Sequence, residues 1–327
     1  MTGIMAIIVA LVLLMVLAYR GLSLLILAPL LAALVAMVSV DTPLLASYTQ
    51  VFMGAAGNFI VSFFPLFLLG AIFGKLMEDS GSAEVTLPPA ERDLPPLPLA
   101  LLPIVLVIAL NLLFTSVVIP AMDTGYLAEP TYGATSIESV RGVWSVIAAL
   151  VIAIAVIIVT NLRRLEALTT TLDSGANASL LPIFNTASLV GFGSVIASLA
   201  AFEAISLWVT SVGGDNPLIS LAIAVNLLAG MTGSASGGMS IALATLGDTY
   251  LAMGQAAGIA PELLHRVTAV ATGGLDALPH NGAVITLLSI CGLTHRQAYL
   301  DIAVVAVVIP ILSLVLLIAL GTLVGSF

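Results

Sequence analysis

Charge is scarce in this chain. Its 327 residues include 8 Lys and Arg and 17 Asp and Glu, so 8% are charged, against roughly 25% in an ordinary soluble domain. At a net charge of -9 with no basic run, nothing is available to neutralise a phosphate backbone, and nucleic acid is excluded as a partner. A single cysteine, Cys291, rules out an internal disulfide and leaves a metal no thiolate pair. Cys291 is read as packing, and no metal or cofactor is expected. Soluble-enzyme motifs are missing too. MTGSASGG lacks the Lys-Ser/Thr ending of a phosphate-binding loop, no GxGxxG follows a strand, and GSASG puts Ala235 where a nucleophile elbow needs Ser. One enzyme reading remains, an intramembrane protease with a Ser236–His280 dyad. Clustered hydroxyls are not required by a dyad, so a non-enzyme is expected.

What the chain has in abundance is apolar sequence, 61% of its residues. Runs of spanning length cover 3–18, 22–40, 59–76, 97–121, 142–160, 180–210 and 299–323. The expectation is an all-α polytopic membrane protein. The first run has neither the basic start nor the cleavage site of a signal peptide and is read as a retained span. If the chain starts outside, Arg20, Lys75, Arg92, Arg163, Arg164 and Arg296 fall on the inner side, provided 217–246 returns to the side it left. Spans one to three then mirror spans four to six, an inverted-repeat arrangement common in secondary transporters. Residues 1–84 form the first repeat, 85–97 a Pro-rich junction, and 98–327 the second repeat with a hairpin at 217–247 and a broken helix at 261–291. The first repeat is incomplete, because no hairpin follows Gly81. Between Asn161 and Ser179, leucines at helical spacing and Gly175 as a stop suggest either an interfacial helix or an arm joining a scaffold to a moving bundle. Gly70 and Gly74 read as a helix-packing pair.

Two interruptions carry the candidate chemistry. Met231 to Ser240 places three glycines and four hydroxyl side chains inside an apolar run, and lipid tolerates irregular backbone only where protein or a watery cavity satisfies it. Gly233, Gly237 and Gly238 can bring N–H groups close to a ligand, and Thr232, Ser234, Ser236 and Ser240 add donors and acceptors. Half-helix N-termini meeting there suit an anion. The alternative is packing, since Gly233 to Gly237 also spells GxxxG. At the second interruption Pro279 stops a helix among Asp276, His280, Asn281 and Gly282, and carbonyls near Leu275 to Leu278 are expected to be free for a ligand or ion. Asp276 and His280 are proton-carrier candidates or surface caps. Glu203, inside the sixth run, is a third candidate or the partner of a hydroxyl. Asn185, Thr186 and Ser188 either face the same cavity or bind helix to helix.

GMTGSASGGMSIAL, PELLHRVTAVATGGLDALPHNGAVITLLSICGLTH and LPIFNTASLVGFGSVIAS strongly resemble the gluconate permease family, bacterial inner-membrane symporters within the ion transporter superfamily. The resemblance covers nearly all of 97–327 and also 1–84. It implies uptake of gluconate or a related small hydroxy-carboxylate with protons, paired re-entrant hairpins and an elevator-like movement. The block carrying the family's first hairpin is absent between Glu84 and Pro88, which points to an internal deletion and puts transport in doubt. The expected partners are a small organic anion, protons, the lipid bilayer and a second copy in a homo-oligomer. The competing class is a non-transporting binding or assembly subunit.

Overall fold

The computed structural model describes residues 2–20, 22–39, 42–82, 95–165, 167–212, 214, 216–290 and 293–325. Most of the Pro-rich junction, and Cys291, lie outside them. The described residues are helical and contain no strand. Five helical stretches are long and apolar enough to cross a membrane: Leu44–Asp79, Leu97–Ala121, Ile137–Asn161, Leu168–Ala197 and His295–Val324. In four of them few side chains are buried, as expected where lipid replaces water, whereas half of Leu168–Ala197 is buried inside the protein. The chain is a polytopic, all-α membrane protein. It divides into two compact units, 1–60 with 184–327, and 61–183.

In the first unit, α1 (Thr2–Tyr19) and α2 (Leu24–Val38) pack through small residues, Ala10, Ala28, Ala32 and Ala36, all buried. Small side chains let helices approach where no water drives them together. The third helix, α3 (Leu44–Asp79), begins fifteen residues before the apolar run at 59. Its polar start is satisfied locally: Ser47 Oγ donates to the Pro43 carbonyl at 3.0 Å and Thr49 Oγ1 to Leu45 at 2.7 Å. Those side-chain bonds accompany a π-helical stretch, Ser47–Phe52.

The apolar run at 180–210 is not one span. It divides into α7 (Leu180–Ala197) and α8 (Ala200–Ser211). Ser198 Oγ turns back to the Val195 carbonyl at 2.7 Å and Leu199 is extended, so the α7 ladder ends there. After α8 come α9 (Pro217–Thr232) and α10 (Ala235–Ala256), which fold back on each other at Gly233, then α11 (Pro261–Ala271), α12 (Gly282–Ile290) and α13 (His295–Val324). Asn216 caps α9 by accepting from the Leu218 N–H at 3.0 Å.

The second unit holds the end of α3, α4 (Leu97–Ala121), α5 (Ile137–Asn161) and α6 (Leu168–Ala178). Ser145 Oγ on α5 donates to Asn111 Oδ1 on α4 at 2.7 Å, so this pair of helices is joined by a polar bond inside an apolar surface. Gly175 does not stop a helix: α6 runs through to Ala178. A Cβ there would sit 2.8 Å from Ile72 Cα, so the glycine is a contact point with α3. Thr171 Oγ1 donates to Asp79 Oδ2 at 2.6 Å, and Lys75 pairs with the same carboxylate at 3.0 Å. The segment is therefore docked on α3, with Leu172 beside Leu76, and its first turn begins at Leu168, not Leu162. Gly70 and Gly74, expected to pack a helix, have nothing within 4 Å of a built Cβ. Thr171→Val, which keeps the shape and removes the donor, is expected to cost about 1–2 kcal/mol in detergent unfolding followed by circular dichroism. Thr171→Ser should restore most of it.

Candidate functional site

The site is built where the hairpin tip meets the helix break. Thr232 is the last residue of α9, and Gly233 then takes φ +56°, the left-handed conformation that ends a helix and that residues with a Cβ rarely adopt. Ser234 is buried, and its carbonyl accepts the Gly238 N–H at 2.9 Å as α10 begins. Gly238 is the packing glycine of the tip: a Cβ there would stand 2.3 Å from Ala229 Cα. Gly233 is the turn and not part of a helix face, so Gly233 and Gly237 are not a helix-packing pair, although the tip is close-packed at Gly233 and Gly238. Ser236, Gly237 and Ser240 lie in the first turns of α10. Their side-chain placement, like that of Thr232, lies outside the description.

The break begins after α11. Gly274 approaches Asn226 so closely that a Cβ would lie 2.6 Å from Asn226 Oδ1. That oxygen also accepts the Leu275 N–H at 3.4 Å, while Asn226 Nδ2 donates to the Ala222 carbonyl at 3.2 Å. Asp276, half-buried, accepts the Gly274 N–H at 2.9 Å and so closes the turn onto Leu275–Ala277. Leu278 is extended, as a residue before proline prefers.

Three of the carbonyls expected to be free, those of Leu275, Ala277 and Leu278, are instead occupied, as is that of Pro279. Ala277 accepts from Tyr299 Oη at 3.2 Å and Pro279 from His295 Nε2 at 2.8 Å. Leu275 accepts the Leu278 N–H at 3.4 Å and Leu278 the Asn281 N–H at 2.8 Å. The start of α13 brings His295 and Tyr299 to the break, and Thr294 with Gln297 forms a capping box that orients this first turn. Proline frees a carbonyl on its own helix, but a neighbouring helix can take it up again.

Asn281 ties the two interruptions together. Its Nδ2 donates to the Gly233 carbonyl at 2.8 Å, and its Oδ1 accepts the Val284 N–H at 2.7 Å, capping α12. The N-termini of α10 and α12 thus meet at one hydrogen-bonded point, each with a partial positive charge. His280 is fully buried against the turn: a Cβ on Gly233 would lie 3.0 Å from its Nε2. The Gly230 carbonyl approaches the ring without reaching hydrogen-bond geometry, and neither ring nitrogen has a partner among the described residues. Across Gly282 stand Asn185 and Thr186, 3.3 and 3.4 Å from a Cβ built there. Asn185 is buried and its Oδ1 also lacks a partner.

Of the sequence candidates, the fold therefore assembles Gly233, Ser234, Gly238, Asn281, Gly282, Asn185, Thr186 and His280. Asp276 serves its own turn. Glu203 is exposed in the first turn of α8, and no described bond links it to the tip. Asn226, His295 and Tyr299 were missed. Asn226 carries a signal, a buried amide inside an apolar helix. The other two carry none, because nothing local tells which distant carbonyl they will meet.

No protein-family model matches the chain, and no solved structure matches it. Over 227 residues the chain is 42% identical to a protein of Bacillus subtilis (strain 168) named "Uncharacterized transporter YxjC". The match takes in 67% of this chain and 48% of that protein, so the chain spans about half the length of the relative.

Proposed function

We propose that this chain is a secondary transporter, of inverted-repeat type and seated in a bacterial inner membrane, that carries gluconate or a related small hydroxy-carboxylate together with protons. The relative's name supports transport. The observation that carries the finer reading is the Asn281–Gly233 bond, which brings two helix N-termini together beside buried Asn185 Oδ1 and the His280 ring nitrogens, which have no hydrogen-bond partner among the described residues. An anion's carboxylate takes the N–H groups at the starts of α10 and α12, which the Asn281 latch holds side by side, and its hydroxyls take Asn185, Thr186 and the serines of the tip. His280 reaches water only when Gly233 moves away from it, so proton exchange at the ring follows hairpin opening.

A second reading, a subunit that binds the anion without carrying it, is favoured by the half-length match and by the single hairpin in the described residues. The two separate in one experiment, combining equilibrium binding of labelled gluconate in detergent with its uptake into vesicles, with and without an inward proton gradient. Uptake stimulated by the gradient is the expected result. Binding without uptake selects the second reading, uptake indifferent to the gradient removes the proton, and no binding removes this substrate class.

A further inference from the structure

A cavity that begins beside the tip, at Met239, and runs away from it has no part in that scheme. It lies between α9, α10 and α11 and measures about 280 Å³. Along α10 its wall runs from Met239 through Ala242 and Leu246 to Leu251 at helical spacing, so the cavity follows that helix for about 18 Å at 1.5 Å per residue. Leu221 and Leu264 close it from the facing helices.

Water is a poor occupant, because a buried water needs two to four polar partners and the wall supplies almost none. Thr268 Oγ1 already donates to the Leu264 carbonyl at 2.8 Å. Tyr250 contributes to the wall, but its hydroxyl is shielded and without a hydrogen-bond partner. The Ser220 hydroxyl lies near it and donates to the Pro217 carbonyl at 3.2 Å. The lip is apolar as well: Leu243 is 53% and Leu251 43% exposed, with His265 as the one exposed polar side chain of the lining. A long, narrow, apolar space opening between exposed leucines, in a protein whose surface faces hydrocarbon, matches a chain and not a compact solute.

We propose that this cavity binds a single alkyl chain of a lipid, held between the two arms of the hairpin and α11. The site is independent of the anion reading, and its occupant lies between α9 and α10 alongside Met239 to Leu251.

The test is lipid retained by the full chain after purification in mild detergent, quantified by mass spectrometry. Wild-type protein is expected to keep about one lipid per chain, as a single cavity implies. Ala242→Phe, which fills the cavity, should lose it while helicity and elution stay unchanged; should that variant fail to fold, Ala224→Leu fills the same space with a smaller group. Leu246→Ala, which widens the cavity, should keep the lipid. Recovery of a phospholipid identifies the bilayer as the source of the chain, and recovery of a free fatty acid identifies a detached one; either supports the site if filling abolishes it. Equal retention by wild type and the filled variant, or no lipid on wild type, overturns it.

Discussion

Gly238→Ala is expected to destabilise the protein by about 3 kcal/mol or more, at or beyond the upper end of the usual overpacking range. The reason is the identity of what the new methyl meets. At 2.3 Å from Ala229 Cα and 2.4 Å from Ala229 N it strikes backbone, which cannot rotate aside as a side chain can. The arms α9 and α10 would have to separate at their closest approach, next to the turn. Gly57→Ala on α3 is the control. It has nothing within 4 Å of its Cβ, and removing a helical glycine there should be neutral or stabilising by up to about 1 kcal/mol. Both are read by reversible unfolding in mixed micelles, with circular dichroism as the signal. A Gly238→Ala protein as stable as wild type would mean that the hairpin arms do not meet at this glycine.

Asn281→Ala is expected to cost about 2–4 kcal/mol and to abolish anion binding. It removes two buried hydrogen bonds at once, the cap on α12 and the latch to Gly233. A lost cap costs about 1 kcal/mol and an orphaned buried partner about 1–3 kcal/mol. Asn281→Ser separates the two roles. Its hydroxyl can still cap α12 but is too short to reach the tip, so it should recover about 1 kcal/mol of stability without recovering binding. Stability is measured by unfolding and binding by equilibrium dialysis of labelled gluconate. Full binding by either variant would show that the latch does not shape the anion site.

Much of this protein was legible residue by residue. Glycines amid hydroxyls placed a hairpin tip within Met231 to Ser240, and one of them, Gly233, does take the left-handed conformation there. Pro279 was expected to stop a helix, but α11 already ends at Ala271, ahead of Gly273 and Gly274, and the proline lies in the irregular segment before α12. Both expectations depend on dihedral preference, which acts over a few residues. Gly70 and Gly74 misled because spacing alone does not say whether a second helix is present. Gly175 misled in the opposite way: a glycine that looks like a stop is a contact point when a backbone lies 2.8 Å from its missing Cβ. The break at Ser198 was hidden inside a continuous apolar run, where a single serine bonding backward ends the ladder.

The sequence by itself determined the membrane class, the all-helical character and the two interruptions, because composition and local backbone chemistry decide where helices can exist in lipid. Only the tertiary structure decided that Asn281 reaches Gly233, that His295 and Tyr299 occupy carbonyls around Pro279, and that the His280 ring nitrogens and Asn185 Oδ1 are buried without partners among the described residues. Each of those depends on which distant residues the packing places face to face, and a hydrogen bond forms only within about 3 Å of its partner, a distance that spacing along the chain does not encode.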